Sequence, residues 1–249
     1  MAVIITPDRT VINACEALTN FLALGTWGAN AAASNDVYRE GSLACNARLS
    51  SATPGTPSIG YQLSTTAAGL DLTTGAHVFV WLKCFSIPSL DTRIHGGLRV
   101  SISADTTPTL SGASTTVRAA PTNSKTWFVS GSDYDPDSGW VCYVVDPQGT
   151  PDVTLGAATM SSVDRVGIGG NALQTVGGGS VKPQPVIWDN IQYGTKLTVT
   201  CSAASVATFQ DIYAADTATA NCYGILTKAG GTYFGAGKLV FGTTGQGAV

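Results

Sequence analysis

Charged side chains are scarce in this chain of 249 residues, which holds 13 lysines and arginines, 16 aspartates and glutamates, and a formal net charge of -3. The charged share is 12%, about half of that in an average soluble domain. The few basic residues are scattered, which excludes a sequence-independent grip on nucleic-acid phosphates. We expect a β-rich protein. Because a surface with so little charge repels a second copy only weakly, we also expect partner molecules to cover this surface.

The N-terminal segment MAVIITPDRT lacks a basic region followed by a long apolar stretch, so we expect no secretory signal. No run of about 18 apolar residues follows, so we expect no membrane-spanning helix and synthesis in a cytoplasm. Residues 1–9 are predicted to form an extended arm. Its apolar Val3, Ile4 and Ile5 are suited to adding a strand to a sheet edge of another chain.

Turn residues and short apolar runs alternate along most of the chain. Only Val11–Leu24 has apolar residues near helical spacing, and a short helix or a strand both remain open there. From residue 25 onward, clusters of Gly, Pro, Asn and Ser separate apolar runs of about four to eight residues, which is typical of strands. The clearest predicted strands are Gly60–Leu63, His77–Phe85, Gly97–Ser103, Thr126–Ser130, Trp140–Val145, Asp164–Ile168, Val186–Tyr193 and Lys196–Thr200.

Three of these strands carry specific expectations. Leu98, Val100 and Ile102 alternate with polar residues in GLRVSIS, which predicts one face in a core and Arg99 and Ser101 in solvent. HVFVWLKCF is apolar on both faces, so it is predicted to be a central strand covered on both sides. Trp127–Ser130 and Trp140–Val145 are predicted to form a hairpin around the loop GSDYDPDSG.

Strands at this spacing without intervening helices predict an all-β fold, an antiparallel jelly-roll β-sandwich over residues 10–200. The amino-acid composition changes at residues 201–249, which are predicted to be a short Gly-rich C-terminal β extension. Three short strands bury too little surface to stand alone, so the extension either packs on the sandwich or is completed by other subunits. We favour completion by other subunits. The predicted strands are Tyr223–Leu226, Thr232–Phe234 and Lys238–Phe241.

Several segments resemble known proteins. VIWDNIQYGTKLTV resembles the closing strand of laminin-G and concanavalin-like jelly rolls, in which an Asp-Asn pair precedes a hydrophobic position and a Tyr-Gly. VYREGSLACNARLS, with Gly41 and Ser42, and GLDLTTGAHVFVWLK, with the Asp71-Leu72 step, are similar to opening strands of that fold. The matching residues of the closing strand are Asp189, Asn190, Ile191, Tyr193 and Gly194.

The C-terminal segment ATFQDIYAADTATANCYGILTKAGGTYFGAGKLVFGT is similar to structural proteins of tailed-phage virions. This resemblance implies a non-enzymatic capsid-decorating, fibre or tail component located in the virion. It also implies that the partners are other copies of the chain, as a homotrimer, and other virion proteins.

Asp133, Asp135 and Asp137 form the sharpest candidate for a metal site. Carboxylates at alternating positions suit the oxygen coordination of calcium, but the sixth and twelfth positions of an EF-hand loop are here Ser138 and Val144. The alternative, which we favour, is an acidic turn whose side chains cap their own backbone. We therefore expect no cofactor, and calcium at this loop is the alternative.

A carbohydrate-binding module of lectin-like fold is the second functional hypothesis. Its glycan site would use Tyr134 and Trp140, beside the acidic loop, and Trp27 and Trp188 are further aromatic candidates. Aromatic residues at strand starts are more often core or interface anchors, and we favour that role for these four.

No catalytic constellation is recognisable, so we do not expect an enzyme. His77 and His95 lack an identifiable acid-base partner. The runs GIGGN and VGGGS lack the ending of a phosphate-binding loop and are predicted to be flexible or tight turns. The six cysteines lack metal-site spacing and are predicted to be small buried hydrophobes: Cys15, Cys45, Cys84, Cys142, Cys201 and Cys222.

Overall fold

A computed structural model of the chain describes fifteen stretches of the sequence. They are residues 3–6, 9–25, 32–34, 41–49, 57–74, 76–84, 97–111, 119–129, 140–173, 184–194, 198–201, 214–215, 221–227, 233–241 and 247–248. Across these stretches, no helix has the length and apolar character needed to cross a membrane.

Strands make up almost all of the regular structure in these stretches, with one short 3-10 helix, η1 (Leu18–Asn20). The strands are β1 (Val3–Thr6), β2 (Arg9–Asn13), β3 (Phe21–Gly25), β4 (Ala32–Ser34), β5 (Ala44–Leu49), β6 (Pro57–Ser64), β7 (His77–Cys84), β8 (Leu98–Ser103), β9 (Leu110–Ser111), β10 (Ala120–Pro121), β11 (Ser124–Phe128), β12 (Val141–Val145), β13 (Val153–Leu155), β14 (Arg165–Leu173), β15 (Gln184–Gly194), β16 (Thr198–Cys201), β17 (Ala214–Ala215), β18 (Asn221–Thr227), β19 (Tyr233–Phe241) and β20 (Gly247–Ala248).

Two antiparallel sheets form the body of the fold. The first sheet has the strand order β13-β11-β8-β14-β6-β3. The second sheet has the order β12-β7-β15-β5-β4, and β2 pairs with the far end of β15. Because neighbouring strands in each sheet are seldom consecutive in the chain, the connections cross from one sheet to the other. The predicted antiparallel jelly-roll β-sandwich is confirmed.

The main core lies between the two sheets. Val100 and Ile168 of the first sheet and Val80 and Trp188 of the second are fully buried in one cluster. The ring of Phe21, on edge strand β3, meets Trp188 edge-on at a centroid distance of 5.8 Å. Burying a side chain of this size stabilises a fold by about 2 kcal/mol. This contact joins β3, at the edge of the first sheet, to β15, in the second sheet.

The expectation for HVFVWLKCF is confirmed. Strand β7 lies between β12 and β15 in the second sheet. Val78, Val80 and Leu82 face the main core, while Phe79 and Trp81 on the opposite face are also fully buried. The strand is therefore apolar on both faces because both are covered.

The predicted hairpin between Trp127–Ser130 and Trp140–Val145 is wrong. Strand β11 pairs with β8 and β13 in the first sheet, whereas β12 pairs with β7 in the second. Trp127 and Val145 enter the main core from opposite sheets. The loop between these strands therefore links the two sheets.

The glycine run GIGGN also departs from its prediction as a turn, since it lies inside the long central strand β14. The register places Gly169 beside Tyr61 of β6. A Cβ atom on Gly169 would overlap the ring of Tyr61. Glycine is needed here because the ring of Tyr61 lies against the sheet. The spacing of glycines in the sequence does not distinguish such a position from a turn. The second run, VGGGS, lies outside the described residues.

The Asp189-Asn190 pair forms an irregularity in β15. The pairing of β15 with β7 shifts between Asp189 and Gln192, and Asn190 has a positive φ of 44°. Asparagine adopts this left-handed conformation more readily than most residues. A bulge here lets one strand pair first with β5 and then with β2.

Both ends of the chain form additional sheets. Strand β1 pairs with β16 of the same chain, so the N-terminal arm has a partner within its own polypeptide. Strands β17 to β20 form a four-stranded antiparallel sheet, in which β19 runs unbroken through the glycines that were expected to divide it. Strands β18 and β19 lie near β12 at one edge of the sandwich.

The segment Val11–Leu24, for which a helix and a strand were both possible, contains strand residues on either side of a single helical turn. Strand β2 ends at Asn13, and η1 leads directly into β3. The division of the chain at residues 9 and 200 stays a prediction.

The substitution Gly169→Ala should lower the free energy of unfolding by about 1–3 kcal/mol, measured by urea denaturation, because the added methyl overlaps the Tyr61 ring. In a Tyr61→Ala background the extra cost should disappear, since the ring is gone. An equal cost in both backgrounds would contradict this role of Gly169.

Candidate functional site

Most of the sequence-predicted site residues lie outside the described residues. These are Asp133, Tyr134, Asp135 and Asp137 of the acidic loop, and also Trp27. The calcium hypothesis therefore stays a prediction. Elsewhere, in the stretches that the structure does describe, no group of three His, Cys, Asp or Glu side chains is placed to hold a metal ion.

Trp140 immediately precedes β12 and is half-buried. It packs with Val144 against Phe79 and Trp81, on the face of the second sheet that points away from the main core. Trp188 is fully buried between the sheets. Trp188 is thus a core residue, and Trp140 is the one described aromatic candidate with an accessible part.

The structure brings a different set of residues together on the outer face of the first sheet. Adjacent positions on four strands form a row across that face: Tyr61 on β6, Gly169 on β14, Arg99 on β8 and Phe128 on β11. Tyr61 and Arg99 are fully buried, and Phe128 is half-buried. An aromatic, a cationic and a second aromatic side chain therefore lie side by side.

Residues 104–111 and 119–122, which we call the strap, cover this row. The strap contains the short paired strands β9 and β10. Ala119 and Ala120 are fully buried and pack with Ile59, Tyr61 and Leu63 of the sheet. The outer face of the first sheet is consequently a second, smaller core.

A hydrogen-bonded triangle joins the strap to the sheet. The Tyr61 hydroxyl donates to the Ala119 carbonyl at 2.9 Å, and Arg99 Nη1 donates to the same carbonyl at 3.1 Å. Arg99 Nη1 also donates to the Tyr61 oxygen at 3.2 Å. The Arg99 guanidinium lies 4.8 Å from the centre of the Phe128 ring, a cation-π contact.

The electrostatics of the triangle keep Tyr61 protonated. Burial raises the pKa of the Tyr61 phenol, and the neighbouring Arg99 guanidinium lowers that pKa only in part. The neutral hydroxyl therefore remains a donor to Ala119. Because a buried polar group costs free energy unless it is paired, removing one member of the triangle penalises the other two.

The ends of the strap are held by a second set of hydrogen bonds. Ser103 Oγ donates to the Thr122 carbonyl at 2.7 Å, and Ser124 Oγ donates to the Pro121 carbonyl at 2.6 Å. The Thr122 hydroxyl donates to the Asp105 carboxylate at 2.7 Å. The strap thus closes over the sheet as an anchored element.

The structure corrects the expectation for the polar face of GLRVSIS. Leu98, Val100 and Ile102 face the main core as predicted, but Arg99 and Ser101 are fully buried and not in solvent, and Arg99 is hydrogen-bonded to the strap. The alternation of apolar and polar residues distinguishes the two faces of the strand. It does not indicate that another segment covers the polar face. The small and apolar residues of the strap were the available signal, in particular Pro108, Leu110, Ala119, Ala120 and Pro121.

Comparisons with known proteins add distant similarities. No protein-family model matches the chain, and no curated protein matches its sequence. Several solved structures with a similar fold are carbohydrate-binding modules.

Three solved structures illustrate this similarity of fold. The C-terminal family 22 carbohydrate-binding module of Clostridium thermocellum Xyn10B has 14% identity and a TM-score of 0.35, covering 72% of this chain and 87% of that one. The xylan-binding domain CBM22-2 of Paenibacillus barcinonensis Xyn10C has 11% identity and a TM-score of 0.37, covering 75% and 98%. The enzymatically active domain of bacteriophage CBA120 tailspike protein 4 has 16% identity and a TM-score of 0.33, covering 74% and 20%. Likenesses at these TM-scores do not establish an activity for this chain.

The substitution Tyr61→Phe should lower the free energy of unfolding by about 1–3 kcal/mol, because it leaves the buried Ala119 carbonyl and Arg99 with one partner fewer. It should also speed hydrogen exchange of the strap amides, measured by mass spectrometry. Tyr143→Phe is the matched control, since its hydroxyl donates to the Phe128 carbonyl of β11 at 3.2 Å, and this carbonyl is not part of the strap. Unchanged strap exchange in Tyr61→Phe would show that the triangle does not hold the strap.

Proposed function

We propose that the protein is a non-enzymatic structural component of a tailed-phage virion, such as a capsid-decorating, fibre or tail protein. It works by assembling with copies of itself, as a homotrimer, and with other virion proteins. The observation that carries this proposal is the pairing pattern of the C-terminal sheet, and the sequence resemblance described above supports the virion setting.

The two long strands of that sheet are paired on one side only over much of their length. Strand β18 pairs with β19 from Asn221 to Thr227, but β17 covers only Cys222 and Tyr223 on its other side. Strand β20 covers only Val240 and Phe241 of β19. Within the described residues, 224–227 of β18 and 233–239 of β19 therefore present a strand edge with no further strand beside it.

Such an edge is a template for a strand from another chain. Unpaired backbone N–H and C=O groups along an edge form a ladder with any extended segment that approaches them. Proteins that must stay monomeric usually protect an edge with charged side chains. Residues 202–249 carry only two aspartates and two lysines, so two copies of this segment meet without net repulsion.

The position of the sheet fits the same role. Strands β18 and β19 lie near β12, at the edge of the second sheet. The extension therefore contacts its own sandwich and still offers edges to a second chain.

Assembly is tested by native mass spectrometry and sedimentation of the full chain at micromolar concentration. We expect an oligomer, and we expect excess peptide of the β19 sequence YFGAGKLVF to dissociate it by competing for the edge, while a scrambled peptide does not. A chain that stays monomeric at these concentrations would contradict the proposal.

Carbohydrate binding is the second candidate, and the position of Trp140 favours it. This half-buried ring directly follows the acidic loop that contains Tyr134 and the three aspartates. Sugars stack on partly exposed aromatic rings beside polar groups that fix their orientation.

On a glycan array, this second candidate predicts binding that Trp140→Ala abolishes. Tyr143→Phe, in the strand β12 that follows Trp140, should leave binding unchanged, and loss of binding with a chelator would assign calcium to the acidic loop. An array with no binding above background rejects the carbohydrate function and leaves the assembly proposal untouched.

A further inference from the structure

Two segments that are distant in sequence meet beside the main core. One is the irregular link between β2 and η1, which contains Cys15 and Glu16, and the other leads into β5. The Glu16 carboxylate accepts hydrogen bonds from the Ser42 N–H at 2.9 Å and from the Ser42 hydroxyl at 2.7 Å. These bonds hold the two segments side by side and lower the pKa of the Glu16 carboxyl.

The turn before β5 is built to receive the Glu16 side chain. Gly41 has a φ of +73°, which favours glycine, and a Cβ atom there would overlap the Glu16 carboxylate. A larger residue would displace the Glu16 carboxylate from this position. Gly41 and Ser42 thus act together with Glu16 to fix this junction.

Cys15 and Cys45 face each other within the junction. Both side chains are fully buried and both thiols are free. The Cys45 thiol donates to the Cys15 carbonyl at 3.2 Å, and the Cys15 thiol donates to the Asn13 carbonyl at 3.7 Å. Burial raises the pKa of the Cys15 thiol, and the neighbouring Cys45 and Asp189 raise it further, which keeps the reduced form protonated and slow to react.

We propose that Cys15 and Cys45 form an intramolecular disulfide when the protein leaves its reducing place of synthesis. The pair is separated by 30 residues in sequence but adjacent in space. Cys15 lies outside the strands, between exposed Ala14 and half-buried Glu16, so the link opens and adjusts more readily than a strand does.

The oxidant is a small-molecule disulfide, such as oxidised glutathione. Local opening exposes one cysteine, whose thiolate attacks the oxidant, breaks its S–S bond and releases one glutathione. The second cysteine thiolate then attacks the mixed disulfide, forming the Cys15–Cys45 bond and releasing a second glutathione. The two protein thiol protons end on the two released glutathione thiols.

The bond would join β5 of the second sheet to the link between β2 and η1, and it would close a loop that contains a strand of the first sheet. The segment between the cysteines contains β3, at the edge of the first sheet, and Cys45 itself lies in β5 of the second sheet. Closing a loop of this size restricts the unfolded chain, which stabilises the folded protein without changing its shape. A protein that must persist outside a cell gains durability in this way.

The test is incubation of the full reduced chain with oxidised glutathione at pH 8, followed by alkylation of free thiols and peptide mapping without reduction. We expect a mass loss of two hydrogen atoms, four alkylated cysteines, and a linked peptide pair containing Cys15 and Cys45. The thermal midpoint should rise by roughly 5 °C or more relative to the reduced protein.

Variants separate this bond from other oxidation. Cys45→Ser should lose both the linked pair and the rise in thermal midpoint, whereas Cys142→Ala should keep both. Six alkylated cysteines after prolonged oxidation, glutathione adducts alone, or a linked pair that does not join Cys15 to Cys45 would overturn the proposal.

Discussion

Both sheets of this sandwich carry buried side chains on both faces, and this constraint explains much of the remaining structure. Packing the sheets together covers only their inner faces. Arg99 and Tyr61 on the outer face of the first sheet are covered by the strap, while Phe79 and Trp81 on the outer face of the second pack beneath Trp140. Segments that look like loops in the sequence therefore complete the fold.

The covered faces bear on function. In a β-sandwich that binds a ligand across a sheet, the sheet must present an open surface, but here the strap occupies the outer face of the first sheet. The proposed assembly uses the edges of β18 and β19, and the carbohydrate hypothesis depends on Trp140.

Features that depend on the local alternation of apolar and polar residues can be predicted from the sequence. Contacts between segments that are distant in the sequence cannot. The core positions of GLRVSIS and the burial of HVFVWLKCF follow from periodicity alone. The burial of Arg99 does not, because it requires a strap whose placement is set by bonds to Tyr61 and Ala119. The glycines of β14 mimic a turn, and the junction of Cys15 with Cys45 joins residues whose spacing carries no motif.

The central claim is that the C-terminal sheet is completed by another copy of the chain. Hydrogen exchange of the amides in residues 233–239, measured at low and high protein concentration, tests it most directly. The account predicts that protection of these amides rises with concentration while that of the sandwich core stays constant. Protection that is the same at both concentrations, in a chain that remains folded, would contradict it.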